Sequence, residues 1–227
     1  LRIAEVEMRT MTAQTNLKLM LSGALLSLLW SGAALAQGHG YVNYMRSSTS
    51  SYVFVQQSID GEYGQHSTEG EAKDETGKTS SYEDKQYWKG YGIGTSVGLE
   101  LMKFVQFVAG HTFVNLRHKD DALESLSGSR VHGGLRLVFT APVANLELGS
   151  GLTGSRLDYQ KQLENSSFYG SGFYYSVGLN YFMSSRISVY YEAKIVHEHL
   201  VRSGGSSSVS AMDTDATAMG LGFRIWL

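Results

Sequence analysis

Cysteine is absent from the 227-residue chain, and proline occurs once. The first absence excludes a disulfide framework and any thiolate metal site. Basic residues are not in excess: 19 Lys and Arg stand against 21 Asp and Glu, for a net charge of −2. No nucleic-acid partner is expected from that balance. After Gln37 no apolar run approaches 18 residues, so no transmembrane helix is expected there. What the chain has instead is glycine and aromatics: 26 Gly, 14 Tyr, 9 Phe and 3 Trp. That mixture suits many closely approaching strands better than packed helices.

The first 36 residues read as a signal peptide with an upstream extension. Lys18 precedes an apolar run from Leu19 to Trp30, and Ala34-Leu35-Ala36 follows as a small-residue cleavage site. Translation is expected to start at Met8 or Met11. Loss of this segment removes Arg2, Arg9 and Lys18 with Glu5 and Glu7, which shifts the net charge from −2 to −3. Residues 37–227 form the second unit, a barrel domain.

In that unit, period-two segments fall near 51–63, 86–101, 104–117, 130–140, 143–158, 169–182, 186–200 and 214–227. Short connections at Met102-Lys103, Ala141-Pro142 and Met183 to Ser185 alternate with long polar ones near 64–85, 118–129, 159–168 and 201–213. Glu69 to Lys78 carries most of the first long connection, and Ser203 to Ser210 is a Gly/Ser run. Short turns on one side and long loops on the other, joined by an even number of strands, are the pattern of an outer-membrane barrel with both termini on the periplasmic side.

The strands have one apolar and one polar face. Tyr91, Ile93, Val97 and Leu99 alternate with Gly90, Gly92, Gly94, Ser96, Gly98 and Glu100. Leu221, Phe223, Ile225 and Leu227 alternate with Gly220, Gly222 and Arg224. The predicted fold class is all-β: an eight-stranded antiparallel transmembrane up-and-down barrel. Its apolar face is expected outward, because a Gly- and Ser-rich face fits a narrow lumen. Aromatics near strand ends are expected to form girdles: Tyr63, Tyr87, Trp88, Tyr159 and Tyr169 above, Phe104, Phe139, Tyr181 and Phe223 below. Two strands depart from the pattern. Gln57 shares a face with Val53, Val55 and Ile59, and His111 shares one with Val105, Phe107 and Phe113. A bulge or an interfacial position would account for either.

With its export segment, hairpin order and final strand, the chain resembles the OmpA/OmpX-type eight-stranded barrels, the group that includes Ail-like and Opa-like surface proteins. Gly222, Phe223, Ile225 and Leu227 resemble the C-terminal signal read by the outer-membrane assembly machinery, with Leu where the group usually ends in Phe. The resemblance implies a location in the outer membrane of a Gram-negative bacterium. It also implies contact with outer-membrane lipid and lipopolysaccharide, a monomeric state, and loops that could engage a host or cell-surface ligand.

A two-residue turn at Ala141-Pro142 would set Arg136 opposite Glu147 on the polar face. Glu100, Glu192, Lys194 and Arg224 lie at similar depth, so the six charges are expected to form one layer low in the lumen, either as a salt-bridged plug or as the lining of a narrow pore. His197 and His199 share a face without an evident third ligand, and His118 and His132 flank one loop; no metal site is expected at either. His111 could serve a lipid-modifying enzyme only with a serine and an acid in reach, and no such local signature is present. No catalytic residue and no cofactor is therefore expected. The function anticipated is structural, adhesive or protective, through the outer loops; a narrow pore and a lipid-modifying barrel enzyme are the alternatives.

Overall fold

The computed structural model describes residues 51–73, 79–101, 103–121, 123–141, 144–161, 164–205 and 209–227. The signal peptide, the tail at 38–50, the tip of the first loop and Pro142 lie outside the described residues. Eight strands run β1 (Tyr52–Lys73), β2 (Thr79–Leu101), β3 (Val105–His118), β4 (Glu124–Thr140), β5 (Ala144–Lys161), β6 (Glu164–Phe182), β7 (Ile187–Gly205) and β8 (Val209–Trp226). Each pairs antiparallel with its sequence neighbour, and β1 pairs with β8, so the sheet closes in the order β1 to β8.

The register fixes the barrel's dimensions. Stepping from Gln57 through Thr95, His111, Val131, Gly154, Ser171, His199 and Asp213 leads back to β1 at Ser67, ten residues from the start. With strands about 4.8 Å apart and about 3.3 Å of rise per residue, that stagger gives a tilt of about 40° and a backbone radius of about 8 Å. Each residue then climbs about 2.5 Å along the barrel axis.

The faces sort as the alternation requires. Ile59, Ile93, Val97, Phe107, Val131, Leu152, Tyr175, Ile195 and Leu221 all point outward and are exposed. Outward apolar side chains run from Phe104, Phe139, Ile187 and Leu227 up to Tyr63, Tyr91, Phe113 and Phe173. At about 2.5 Å per residue this band is about 25 Å tall, the height of the hydrocarbon-facing belt of an outer-membrane barrel. Closure leaves no strand edge inside it. No described helix is long and apolar enough to cross a membrane.

Three sequence expectations need correction. The long loops are mostly ladder: β1 and β2 pair up to Lys73 and Thr79, and β5 and β6 up to Lys161 and Glu164. The two ends of the barrel therefore differ in how far strands overshoot the band, not in loop length. The cause is a change of inner face. Above the band the same two-residue period continues, but apolar residues now point inward: Trp88, Leu116, Leu126, Leu157, Tyr159, Phe168, Leu200 and Met212 form one buried cluster. Lys89, Arg117, Asp158 and Asp213 alternate with them on the outside. Trp88 and Tyr159, expected in the upper girdle, belong to this inner cluster. Phe223, expected in the lower girdle, lies near mid-band.

The second correction concerns register. Thr140 pairs with Asn145, not Val143, so Arg136 faces Gly149 and Glu147 faces Val138. The third concerns the irregular faces. The ladders are continuous at Gln57 and His111, and both side chains are outward and exposed. With Thr95 between them they make a polar diagonal within the apolar band. The register shifts that do occur lie higher, at Glu69/Gly70 and Ser167/Phe168.

Candidate functional site: a lumen crossed by charged struts

From bottom to top the lumen holds an aromatic plug, a charged layer, a small chamber, a second charged clamp and the apolar cluster. At the lower end Phe54, Val108, Phe182 and Trp226 pack together. Phe54 and Trp226 have ring centroids 4.9 Å apart, and the Trp226 indole N–H donates to Ser188 Oγ at 2.9 Å. The Phe54 ring lies where a side chain on Gly98 would have to go, so that position admits only glycine. Arg224 stacks its guanidinium over Phe54 at 4.3 Å, which joins the plug to the layer above.

All six charged residues expected in the lower layer meet there. Arg136 donates to Glu192 at 2.8 Å and lies 3.5 Å from Glu147. This diagonal contact survives the corrected register because Arg136 is long enough to reach across one rung. Arg224 donates to both Glu147 oxygens, at 2.6 and 3.0 Å. Gln106 bridges Glu100 at 2.8 Å and Glu147 at 3.2 Å. Lys194 pairs with Glu192 at 3.2 Å. Three carboxylates thus balance three cations. Gln56 accepts from Arg136 at 3.2 Å and from Arg224 at 2.8 Å. Sequence reasoning missed Gln56 and Gln106, although both alternate with apolar residues on the inner face.

The upper clamp was also missed. Arg130 of β4 donates to Glu62 of β1 at 2.9 Å and to Glu198 of β7 at 3.0 Å. Ser155 donates to Glu198 at 2.7 Å. All three charged side chains are buried. One guanidinium therefore spans the lumen between opposite walls. Arg130 was available to the sequence reading, since it lies on the polar parity of β4, but it stood at the boundary given to a loop.

Between the layers lies a cavity lined by Asp60, Glu62, Arg130, His132, Tyr174 and Lys194, among others. Its free volume is about 20 Å³, room for about one or two waters. Aromatic plug, charged struts and apolar cluster thus cross the lumen at successive levels.

On the outer wall above the band, His197 and His199 each bond through Nδ1 to an aspartate of β8. His199 lies 2.6 Å from Asp213, and His197 pairs with Asp215. Ser171 is the other cross-strand neighbour of His199, so a serine, a histidine and an aspartate share one row. Among the described residues Ser171 makes no hydrogen bond to His199, and all three are exposed. Nucleophile and base are not engaged, as acyl transfer would require. No group of three or more metal-ligating side chains comes together among the described residues.

The chain matches no protein-family model and no curated protein sequence. It does resemble solved structures. OprG from Pseudomonas aeruginosa, an outer-membrane protein, superposes with a TM-score of 0.50 at 11% identity, covering 78% of this chain and 96% of that one. The neisserial surface protein NspA gives 0.46 at 13% identity over 76% and 96%. Ail, the attachment invasion locus protein of Yersinia pestis, gives 0.38 at 12% over 75% and 98%. The fold is that of the eight-stranded outer-membrane barrels.

Proposed function

We propose that this chain is an integral protein of the Gram-negative outer membrane, without enzymatic activity, whose closed barrel anchors four stiff hairpins at the cell surface for a structural, adhesive or protective role. The observation that supports this most is the exchange of faces along each strand. An apolar-outward band about 25 Å tall suits hydrocarbon, and above it the polar-outward, apolar-inward continuation suits water. Such a continuation projects hairpin tips from a rigid support, where binding residues are usefully held.

The filled lumen speaks against the pore alternative. A planar bilayer containing the purified barrel is expected to show no current, and none after Arg136→Ala. The role of the hairpins is tested by replacing residues 64–85 and 201–213 with short turns. Surface phenotypes such as adhesion to host cells or serum survival are expected to fall while the barrel keeps its heat-dependent gel shift. Unchanged phenotypes with a folded barrel would reject the surface role. Partners consistent with this reading are outer-membrane lipid, lipopolysaccharide and the assembly machinery, the last through the terminal segment Gly222, Phe223, Ile225 and Leu227.

A further inference from the structure

His197 and His199 stand two residues apart on β7, so both side chains leave the same outer face. His197 is level with Phe173, at the top of the apolar band, and His199 sits about 5 Å higher. The neighbouring strand sets a carboxylate opposite each imidazole in the same rung: Asp215 against His197 and Asp213 against His199. Each ring is bonded through Nδ1 to its aspartate, at 2.6 Å for His199.

This pairing decides which ring nitrogen is available. An ionised carboxylate only accepts, so Nδ1 carries the proton, and in the neutral ring Nε2 carries the lone pair. Among the described residues neither Nε2 has a hydrogen-bond partner. The Phe173 ring braces His197 with centroids 5.0 Å apart, while Ser171, the other neighbour of His199, is small. Both imidazoles are open to solvent, with 39% and 60% of their side-chain surface exposed. The two aspartates bring two negative charges. Their neighbours on β1 are the neutral Gln65 and Ser67. The nearest basic residue along either rung is Lys85, two strands from Asp213, about 10 Å away.

We propose that His197 and His199 form a chelating site for a divalent transition-metal ion of the imidazole-binding class, zinc or copper(II), with Asp215 and Asp213 as the groups that orient them. Side chains two apart on a strand start about 6.6 Å from each other. Two zinc–nitrogen bonds of about 2.0–2.1 Å at a tetrahedral angle span about 3.3 Å. Each ring tip therefore leans about 1.5 Å toward the other. A carboxylate on the far nitrogen is the usual support of a metal-bound histidine: it fixes the tautomer and raises the basicity of the ring. Here both histidines have that support, on matched rungs of one neighbouring strand. Two nitrogens fill two of the four tetrahedral positions and water takes the others, so the site is open and exchangeable. Imidazole donors select zinc and copper over calcium and magnesium, which prefer oxygen.

The test is a zinc titration of the full barrel, refolded in detergent micelles without a polyhistidine tag, followed by calorimetry and by X-ray absorption at the zinc edge. Wild type is expected to bind one zinc per chain, with two imidazole nitrogens at about 2.0 Å and oxygen in the remaining positions. The His197→Gln/His199→Gln double variant is expected to lose this zinc. Asp213→Asn/Asp215→Asn keeps both imidazoles and is expected to bind about 10–100-fold more weakly. No binding by wild type, or unchanged binding by the histidine double variant, would overturn the site. Unchanged binding by the aspartate double variant would overturn the orienting role of the carboxylates. Displacement of zinc by millimolar calcium would make the carboxylates the ligands and overturn the imidazole chelate. Three or more imidazoles per zinc would mean bridging between copies and would overturn a site built by one chain. All four side chains are exposed on the outer wall, so both variants are expected to fold; their heat-dependent gel shift checks this.

Discussion

Arg130 of β4 reaches across the lumen to hold Glu62 of β1 and Glu198 of β7, the two strands that flank β8. Arg130→Met keeps most of the side-chain volume and removes the charge. Two buried carboxylates are then left without their shared cation, although Ser155 still donates to Glu198. Removing one partner of a buried ion pair costs about 3–5 kcal/mol, because the remaining charge stays desolvated. With a urea slope of about 2–3 kcal/mol per molar, the unfolding midpoint of the barrel in lipid vesicles is expected to fall by about 1–2.5 M. The triple variant Glu62→Gln/Arg130→Met/Glu198→Gln removes all three charges together and is expected to regain most of that loss. The refolded proteins are compared by urea titration with tryptophan fluorescence. A midpoint shift below about 0.3 M for Arg130→Met would refute the strut as a stabilising element. A triple variant no more stable than the single one would show that charge isolation is not what the single variant suffers from.

Other expectations follow from single positions. His111→Leu removes a polar group from the outward apolar band and is expected to raise the urea midpoint in vesicles, by about 1–2 kcal/mol of stability; a fall would contradict its placement. Gly98→Val drives a side chain into the Phe54 ring, and the folded gel band is expected to be lost or strongly reduced, while Gly204→Val, at a site with open space around it, is expected to leave it unchanged. Trp88→Ala empties part of the upper apolar cluster and is expected to cost about 3–5 kcal/mol, read as a lower unfolding midpoint. Ester hydrolysis by the purified barrel is expected to be at background and unchanged by Ser171→Ala; activity that disappears with this substitution would overturn the non-enzymatic reading.

The half of the fold that carries the outward apolar band was legible because one period, one apolar parity and one small-residue parity coincide there. Gly90 to Glu100 and Gly220 to Arg224 show it most plainly. The upper half was not legible by the same signal. Leu157 and Tyr159 keep the alternation but lie on the opposite parity from Leu146, Leu148 and Leu152, as Phe168 does from Phe173 and Tyr175. A reading that follows one apolar face sees the strand end where only the surrounding medium changes. The lower charge layer could be assembled from parity and depth alone, since long side chains tolerate an error of one rung; Arg136 still reaches Glu147 although its cross-strand partner is Gly149. Arg130 escaped because its partners lie on strands far apart in sequence, which no local pattern connects.

Because the sheet closes on itself, its register obeys a conservation rule. The ten-residue offset accumulated around the circumference is shared by all eight seams. A slip at one seam must be cancelled at another, and an odd slip would turn a whole strand inside out. Both observed irregularities lie above the apolar band, at Glu69/Gly70 and Ser167/Phe168, where the wall is no longer obliged to present grease on its outer side. Insertions and deletions are thus absorbed near the rim, while the girth and pitch of the cylinder below stay fixed.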